Sequence, residues 1–528
     1  MKPHYHLLAV AFLCVVIFLP TGGPAQELNP NMWYRLSSQL LGDDYSLESS
    51  DPYAGARMNP TGNFNGQYWR FVSAGNGYYW LVSRHCGEAY ALESNDPCKG
   101  RALMSPREKF RSQFWKIIPQ DSLYNRLNSM SMENKEYALE SSYADSGSLM
   151  TPWGPFSGQM WKLRPIEPVE PNVAIPALDP KGDPYKTEGP TDYSFYARPA
   201  STVKAVMIFV DFSDAPAGSR TTQSVGDHLL GNGDAQKLYK EQSYGKMTLE
   251  VTRANGWKRM PDSVSHYTGP DNVFDFDEHK KYITAATTLF PKVKFSDYQI
   301  VLVVATPTPK IVVSPAFNAR PGNGVQTAAG EVRLAVTFGN DSYTNRYINL
   351  VHEVGHLFGL PDLYPFSECA SGPRAGPWDL MDNIFQGNVF FGWHRHKMGW
   401  LDQERKTFLQ QGEWFDTLSP LSAAYGTSMV VIPVGNDPKP SKVFVVELAE
   451  PVLEKDSNKS TSEGVLIYSV DATRATGCNP VKVYSKNASD LWQAPYVGGD
   501  TFDNPDAPMT VEVLKKVGTG YVLKIRRR

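Results

Sequence analysis

The front of the sequence is built from three copies of one pattern. One series repeats at an interval of 46 residues and comprises Gln67-Tyr68-Trp69, Gln113-Phe114-Trp115 and Gln159-Met160-Trp161, with Met58, Met104 and Met150 in the same phase. A second series stays nearly in step and reads YSLES at 45–49 and YALES at 90–94 and 137–141. Short aromatic and β-branched runs between Gly, Pro, Asn and Asp predict strands and turns in every copy. Three four-stranded copies would close a barrel with threefold pseudosymmetry.

The QxW triplets resemble those of the ricin-type β-trefoil lectins, and the resemblance spans residues 28–165. It implies that each Trp fills a shared core and that each Gln hydrogen-bonds backbone, so that the triplet is structural. The sugar subsites of that family usually have an Asn before QxW and an Asp in an early turn. This chain instead has Gly66, Ser112 and Gly158 before the triplets and Glu48, Glu93 and Glu140 at the early turn. Carbohydrate binding and a purely structural or protein-docking trefoil therefore remain open alternatives.

A metal-binding pattern lies further along the chain, at His352-Glu353-Val354-Gly355-His356. The apolar spacing around it predicts a helix, with Asp341 or Ser342 as its N-cap. On a helix, residues four apart face nearly the same direction, so both imidazoles can bind one tetrahedral ion. Glu353 stands beside the first ligand and is suited to act as general base for the attacking water.

The pattern continues through Gly359 to Asp362 and reads HExxHxxGxxD. Gly359 allows the helix to end in a left-handed turn that returns Asp362 toward the ion. A catalytic zinc takes three protein ligands, which favours Asp362 as the third ligand over an ordinary turn residue. Glu368 is the alternative third ligand. A second pair, His394 and His396, would point apart on a helix, so we assign both to structure or surface.

Around this helix the sequence resembles the immune inhibitor A family of secreted metalloproteases, which is related to the metzincins. The likeness covers roughly residues 195–528 and is carried by KEQSYGKMTLEV (240–251), GPWDLMD (376–382), HKMGWLD (396–402), GVLIYSVDA (464–472) and GGDTF (498–502). It implies an α/β zincin-like domain with one catalytic zinc and with Met381 as the Met-turn residue beneath it. Ordinary core packing of Met381 is the alternative. Calcium is compatible with the resemblance, although no loop motif supports it.

The length of 528 residues favours several compact units over one domain. We predict a multidomain architecture that comprises a signal peptide (1–25), an all-β trefoil (28–165), a proline-rich linker (166–194), an α/β zinc metallopeptidase domain (195–404) and a C-terminal antiparallel β domain (405–528). Apolar runs predict buried strands at 203–212 and 299–305. A further strand at 331–338 is expected to pair with an extended substrate.

The first residues predict a secreted protein. Lys2 precedes an unbroken apolar run at 7–19, and small residues follow up to Ala25, which is the pattern of a cleaved signal peptide. A membrane anchor is the weaker alternative, because a run of this length is too short to cross a bilayer, and no later run is long enough either.

The mature chain would keep four cysteines, an even number that suits an oxidising compartment. The bridges that we predict are Cys86–Cys98 and Cys369–Cys478, the second tying a catalytic loop to the C-terminal region. Free buried thiols are the alternative. Permissible N-glycosylation sites are Asn340, Asn458 and Asn487.

Together these features predict a secreted zinc endopeptidase that acts on protein or glycoprotein substrates, with a trefoil that targets glycans as an added module. The net charge of −3 with interspersed signs argues against nucleic acid as a partner. The competing hypothesis is a lectin-like binding protein that carries an inactive metalloprotease scaffold.

Overall fold

The computed structural model describes residues 28–30, 32–49, 53, 55–62, 64–94, 101–143, 147–166, 174–183, 185–268, 275–369, 374–384, 389–423, 426–450, 462–487 and 490–528. These residues divide into two compact units: the first comprises residues up to 168 apart from 63–65, and the second comprises residues 63–65 and 169–528. The predicted signal peptide, Cys98 and Asn458 lie outside the described residues. Among the helices described, none is both long and apolar enough to span a bilayer.

The first unit is a β-trefoil, as the repeat predicts. Its strands are β1 (Trp33–Ser38), β2 (Tyr45–Glu48), β3 (Arg57–Pro60), β4 (Trp69–Gly75), β5 (Tyr78–Ser83), β6 (Tyr90–Glu93), β7 (Leu103–Pro106), β8 (Trp115–Pro119), β9 (Asn125–Ser129), β10 (Tyr137–Glu140), β11 (Leu149–Pro152) and β12 (Trp161–Ile166). Six of them close a barrel in the order β1-β12-β9-β8-β5-β4. The other six form the hairpins β2–β3, β6–β7 and β10–β11, one for each repeat.

The QxW residues hold each repeat of the trefoil together. All three Trp side chains are fully buried, and their indole N–H groups donate to the carbonyls of Leu47, Leu92 and Leu139. Each Gln side chain donates to the carbonyl of the Pro that ends the second hairpin strand and accepts the backbone N–H of residue 62, 108 or 154. A buried amide bonded at both ends carries no unpaired polar group into the core.

The second unit contains a mainly parallel sheet with helices on both faces. Its strands are β13 (Ser201–Asp211), β14 (Met247–Arg253), β15 (Lys258–Arg259), β16 (Ile300–Ala305), β17 (Ala316–Asn318), β18 (Val325–Thr327), β19 (Gly330–Val332) and β20 (Leu334–Phe338). Its helices are α1 (Thr222–Leu230), α2 (Asp234–Gln242), α3 (Phe276–Thr288), α4 (Ser342–Asn345), α5 (Tyr347–Leu357) and α6 (Gly392–Lys397). The sheet order is β14-β13-β16-β20-β17, and β17 at the edge is the antiparallel strand.

Strand β13 explains why this sheet needs two cores. Successive side chains of a strand point to opposite faces. Met207 and Phe209 accordingly join the cluster that includes residues of α1, α2 and α5, while Val206 and Ile208 join the cluster that includes α3. The continuous apolar run is therefore a strand buried on both faces, as expected for a parallel sheet.

Two local predictions differ from the structure. The expected strand at 331–338 is divided, because residues 330–332 pair with β18 whereas β20 lies inside the main sheet between β16 and β17. Residues 334–338 are paired on both sides and therefore do not supply a free edge for a substrate strand. The helix at the metal motif begins at Tyr347, after Arg346 interrupts it with a φ of +57°. Asp341 does not cap it, because its carboxylate accepts hydrogen bonds from Ser314 instead.

The C-terminal region forms two further sheets. Its strands are β21 (Lys406–Phe408), β22 (Glu413–Leu418), β23 (Met429–Pro433), β24 (Lys442–Ala449), β25 (Gly464–Asp471), β26 (Val481–Tyr484), β27 (Thr501–Asp503), β28 (Met509–Val517) and β29 (Gly520–Arg527). The sheet β21-β23-β24-β25-β26 puts Val443 and Val445 into the core that also holds the α5 residues, and puts Phe444 and Val446 against the sheet β22-β29-β28-β27. Contacts therefore join these sheets to the α/β sheet in one unit, without a division at 404/405.

Part of the predicted linker also packs into the second unit. Ile175 and Leu178 belong to the same apolar cluster as α5, and Glu188 is buried. Prolines prevent a helix here but do not prevent apolar side chains from packing. These three linker residues are therefore buried in the second unit.

Candidate metal centre

Helix α5 places the two motif histidines side by side. His352 and His356 are each 5% exposed, and their ring centroids are 4.9 Å apart. The Nδ1 atoms bond the backbone carbonyls of Leu380 (2.9 Å) and Leu360 (2.8 Å). A carbonyl can only accept, so each Nδ1–H donates to it and Nε2 is the ring nitrogen left to face a metal. A hydrogen bond of this kind orients an imidazole for a metal.

Asp362 completes the centre. Its Oδ1 lies 3.2 Å from Nε2 of His352 and 3.2 Å from Nε2 of His356, so three ligand atoms converge on one point. Asp362 is only 6% exposed, and within the described part of the chain Oδ1 has no hydrogen-bond partner. A buried carboxylate oxygen held between two imidazoles needs a positive charge beside it, which a metal ion or a protonated imidazole can supply. The donor set of two nitrogens and one oxygen fits zinc.

The chain segment around Asp362 is fixed from two sides. Gly359 has a φ of +92°, and the N–H of Leu360 bonds the carbonyl of Gly355, so the helix ends in the left-handed turn that the sequence predicts. On the other side, Thr476 Oγ1 accepts the N–H of Asp362 (2.9 Å) and donates to its Oδ2 (3.1 Å). The N–H of Gly477 donates to the Asp362 carbonyl.

A disulfide anchors the loop that holds Asp362. Cys369 and Cys478 are bridged, with their Cα atoms 5.0 Å apart. Cys478 is two residues from Thr476, so the bridge joins the segment after the metal motif to the loop that bonds Asp362. Cys86 is buried in the trefoil core, and its predicted partner Cys98 is not among the described residues.

The electrostatics favour positive charge at the centre. Burial by itself lowers the pKa of His352, but Asp362 and Glu353 outweigh it and raise that pKa to about 9. Burial raises the pKa of Asp362, yet the two histidines hold it well below its usual value. Burial raises the pKa of Glu353 to about 7. The pKa of His352 rises and the pKa of Asp362 falls because a buried imidazole and a buried carboxylate that face each other each favour the charged form of the other.

Met381 lies directly beneath helix α5. It is fully buried, and a Cβ atom added to Gly355 would lie 2.9 Å from its sulfur, so Met381 packs closely against the helix backbone at Gly355. Met381 also accepts the N–H of Leu363 on its carbonyl. The preceding residue, Leu380, supplies the carbonyl that orients His352. This loop therefore contacts α5 from below and also orients His352.

The centre opens into a cavity of about 620 Å³. The cavity residues other than the metal-motif side chains are Lys186, Val313, Ser314, Pro315, Ala316, Asp341, Asn349, Tyr364, Phe366, Asp382, Asn383 and Ile384. Tyr364 is 36% exposed, and its ring stacks on His352 at 6.3 Å. Sequence reasoning missed Asn349 and Tyr364. Asn349 had a signal, because it precedes Glu353 by four residues on the same helix face.

The remaining predicted site residues lie elsewhere. Glu368, the alternative ligand, is exposed and does not line the cavity. His394 is fully buried between Asp379 (Nδ1 to Oδ2, 2.8 Å) and Glu188 (Nε2 to Oε1, 3.0 Å). His396 accepts a hydrogen bond from Lys406. The two rings of the HxH pair thus face different partners. Asn340 and Asn487 are exposed, whereas Ser342, the third residue of the first sequon, is fully buried.

In the trefoil, the early-turn glutamates bond within their own repeats. Gln67 donates to Glu48 at 2.8 Å and Gln159 donates to Glu140 at 3.4 Å. Glu93 accepts from the hydroxyls of Ser105 and Ser112. These carboxylates are therefore engaged by protein donors.

No protein-family model matches the chain, and no curated protein matches it. Over an N-terminal region the chain is similar to the solved structure of the designed threefold-symmetric protein ThreeFoil, with 22% identity, coverage of 25% of this chain and 99% of that chain, and a TM-score of 0.23. It is also similar to the BEL beta-trefoil, with 12% identity, coverage of 27% and 98%, and a TM-score of 0.23. A third likeness is to the Macrolepiota procera ricin B-like lectin in complex with lactose, with 15% identity, coverage of 26% and 98%, and a TM-score of 0.22.

Proposed function

We propose that this chain is a zinc-dependent endopeptidase, with His352, His356 and Asp362 as ligands and Glu353 as general base. The observation that carries the proposal is the convergence of both Nε2 atoms on one oxygen of Asp362 at 3.2 Å, with each Nδ1 bonded to a backbone carbonyl. Structural ion pairs also bring histidine and aspartate together, but an aspartate oxygen shared by two oriented imidazoles at a cavity wall suits a ligand set better.

Bound zinc would supply Lewis-acid polarisation of the scissile carbonyl and of the attacking water. The protein side chains have separate tasks. Glu353 lines the cavity beside the ligands, accepts the proton of the attacking water and passes it to the departing amine. Tyr364, stacked on His352, limits the approach of bulk water to this side of the centre.

We propose that an extended substrate adds to the edge of the sheet at β17. Within the described residues β17 pairs only with β20, so its other edge is unpaired, and residues 313–316 beside it line the cavity. An unpaired edge strand provides backbone donors and acceptors for a peptide in extended form. This assignment replaces the one expected at 331–338.

The resemblance to the immune inhibitor A family supports the same function for residues 195–528. With it we propose a zincin-like fold for the α/β sheet and its helices, Met381 as the Met-turn residue, and secretion of the protein. The disulfide between Cys369 and Cys478 suits an oxidising compartment.

Metal analysis and protease assay of the full-length protein test the proposal together. Wild type is expected to bind one zinc per chain and to cleave casein, and chelation is expected to abolish cleavage. Glu353→Gln is expected to keep the zinc while turnover falls by orders of magnitude, because the ligands remain and the base is lost. Asp362→Ala is expected to lose zinc. Unchanged turnover in Glu353→Gln, or full zinc in Asp362→Ala, would refute the respective role.

A second candidate function is that of a carbohydrate-binding protein with an inactive metalloprotease scaffold. The trefoil fold of the first unit favours it, and one of the similar structures named above is described as a lectin in complex with lactose. None of the three structures named is described as a protease. A glycan array probed with full-length Glu353→Gln tests it. Saturable binding together with no cleavage of casein by zinc-loaded wild type would establish this second function in place of the first.

A further inference from the structure

One buried polar side chain of the cavity has no partner. Asn349 lies on α5, three residues before His352 and four before Glu353, so it shares the helix face that carries the candidate catalytic groups. It is 1% exposed, and it lines the cavity wall. Within the described residues, neither its Oδ1 nor its Nδ2 has a hydrogen-bond partner.

The neighbouring polar groups differ from Asn349 in this respect. The Nδ1 atoms of His352 and His356 bond carbonyls, Asp341 accepts from Ser314, and Asp382 accepts from the backbone of Gly376. A buried amide without partners costs folding free energy, and Asn is a weaker helix former than Leu. An asparagine that destabilises its own helix at a cavity wall is explained by a partner that comes from outside the chain.

We propose that Asn349 binds the substrate backbone on the leaving-group side of the scissile bond. The inference rests on the proposed peptidase function. In a trans peptide group the N–H and the C=O point in opposite directions, so the Asn349 amide oxygen accepts the N–H of one substrate peptide group. Glu353 must reach the departing amine, and Asn349 stands one helical turn away on the same face. The peptide group that the proposal assigns to Asn349 is the first one beyond that amine.

A double-mutant cycle between enzyme and substrate tests the contact. A peptide cleaved by the full-length zinc-loaded protein is first identified from a mixed library by mass spectrometry. A second peptide then has an ester in place of the first peptide group on the leaving side, which removes its N–H. The kcat/KM of wild type and of Asn349→Leu is measured on both peptides, together with the zinc content and melting temperature of each protein.

Wild type is expected to lose about tenfold in kcat/KM on the ester, which is the loss of one hydrogen bond. Asn349→Leu is expected to lose about tenfold on the peptide and nothing further on the ester, while it keeps its zinc and melts at a higher temperature. Losses that multiply, or a lower melting temperature in Asn349→Leu, would overturn the inference but leave the peptidase intact. Absence of any cleavage by zinc-loaded wild type would overturn the proposed function and this inference with it.

Discussion

The hydroxyl of Thr476 offers a direct test of how Asp362 is prepared to bind a metal. Thr476→Val keeps the shape of the side chain and removes both of its hydrogen bonds to Asp362, the one at 2.9 Å from the backbone N–H and the one at 3.1 Å to Oδ2. We expect zinc affinity to fall, because the carboxylate then loses the contact that fixes its rotamer.

The size of the effect follows from the two bonds. A neutral hydrogen bond contributes about 0.5–1.5 kcal/mol and one to a charged group about 1.5–3 kcal/mol. Thr476 is half-buried, so water replaces part of what is lost. The remaining loss of about 1.4–2.7 kcal/mol corresponds to a 10- to 100-fold rise in the Kd for zinc, within the range typical of outer-shell partners.

Competition with a chelator of known affinity measures the Kd of wild type, Thr476→Val and a matched control. The control is Thr473→Val in the same loop, whose exposed hydroxyl bonds Asp471 and no residue of the centre. It is expected to leave the Kd unchanged. A change of less than about twofold in Thr476→Val, while Asp362→Ala loses zinc, would refute the positioning role of Thr476 but keep Asp362 as a ligand.

Three further predictions concern stability. Met381→Ala is expected to destabilise the second unit by about 2–5 kcal/mol in urea unfolding, because it opens a cavity under α5. Met381→Leu keeps the volume and is expected to cost less than about 1.5 kcal/mol. Equal effects of the two substitutions would contradict this. Trp115→Ala is expected to cost the trefoil about 3–5 kcal/mol, whereas Trp153→Ala at 38% exposure costs far less, and limited proteolysis of the first unit compares the two. Burial lowers the pKa of His394, but its two carboxylate partners outweigh this and raise that pKa to about 10. A histidine whose pKa is raised on folding stabilises the folded state fully below about pH 6.5, and this stabilisation is lost as the pH rises toward 10. The free energy of unfolding of wild type should therefore exceed that of His394→Gln by less at pH 10 than at pH 7. A constant difference would contradict the assignment.

Local periodicity accounts for what could be predicted from the sequence. The 46-residue interval fixed the trefoil, because three matching copies leave few ways to bury one set of Trp side chains. The four-residue spacing of His352 and His356 and the glycine at 359 determine the centre because they act within one helix and the turn that ends it. The histidine and glycine relations each span a short stretch of chain, whereas the repeat is recognised because it recurs three times.

Predictions at the ends of elements were less accurate. Asp is a residue type that often caps the start of a helix, but the Asp341 carboxylate accepts hydrogen bonds from Ser314, which the fold of the sheet brings near. The strand expected at 331–338 is one apolar run, yet its two halves pair with different strands. Sequence pattern gives the apolar character of such a run, and tertiary pairing decides where it is divided.

The support beneath the metal centre could not be predicted, since it depends on contacts between distant parts of the chain. Asp379 accepts hydrogen bonds from the backbone N–H of Met381 and from Nδ1 of His394. Nε2 of His394 is hydrogen-bonded to Glu188. This buried network ties the loop that carries the Leu380 carbonyl to α6 and to the segment before the sheet. Removing one member would leave an unpaired buried charge, so the network fixes the loop strongly. His394, one member of the second histidine pair, thus holds the loop that orients His352, and the geometry of the candidate centre depends on residues that no spacing rule connects to it.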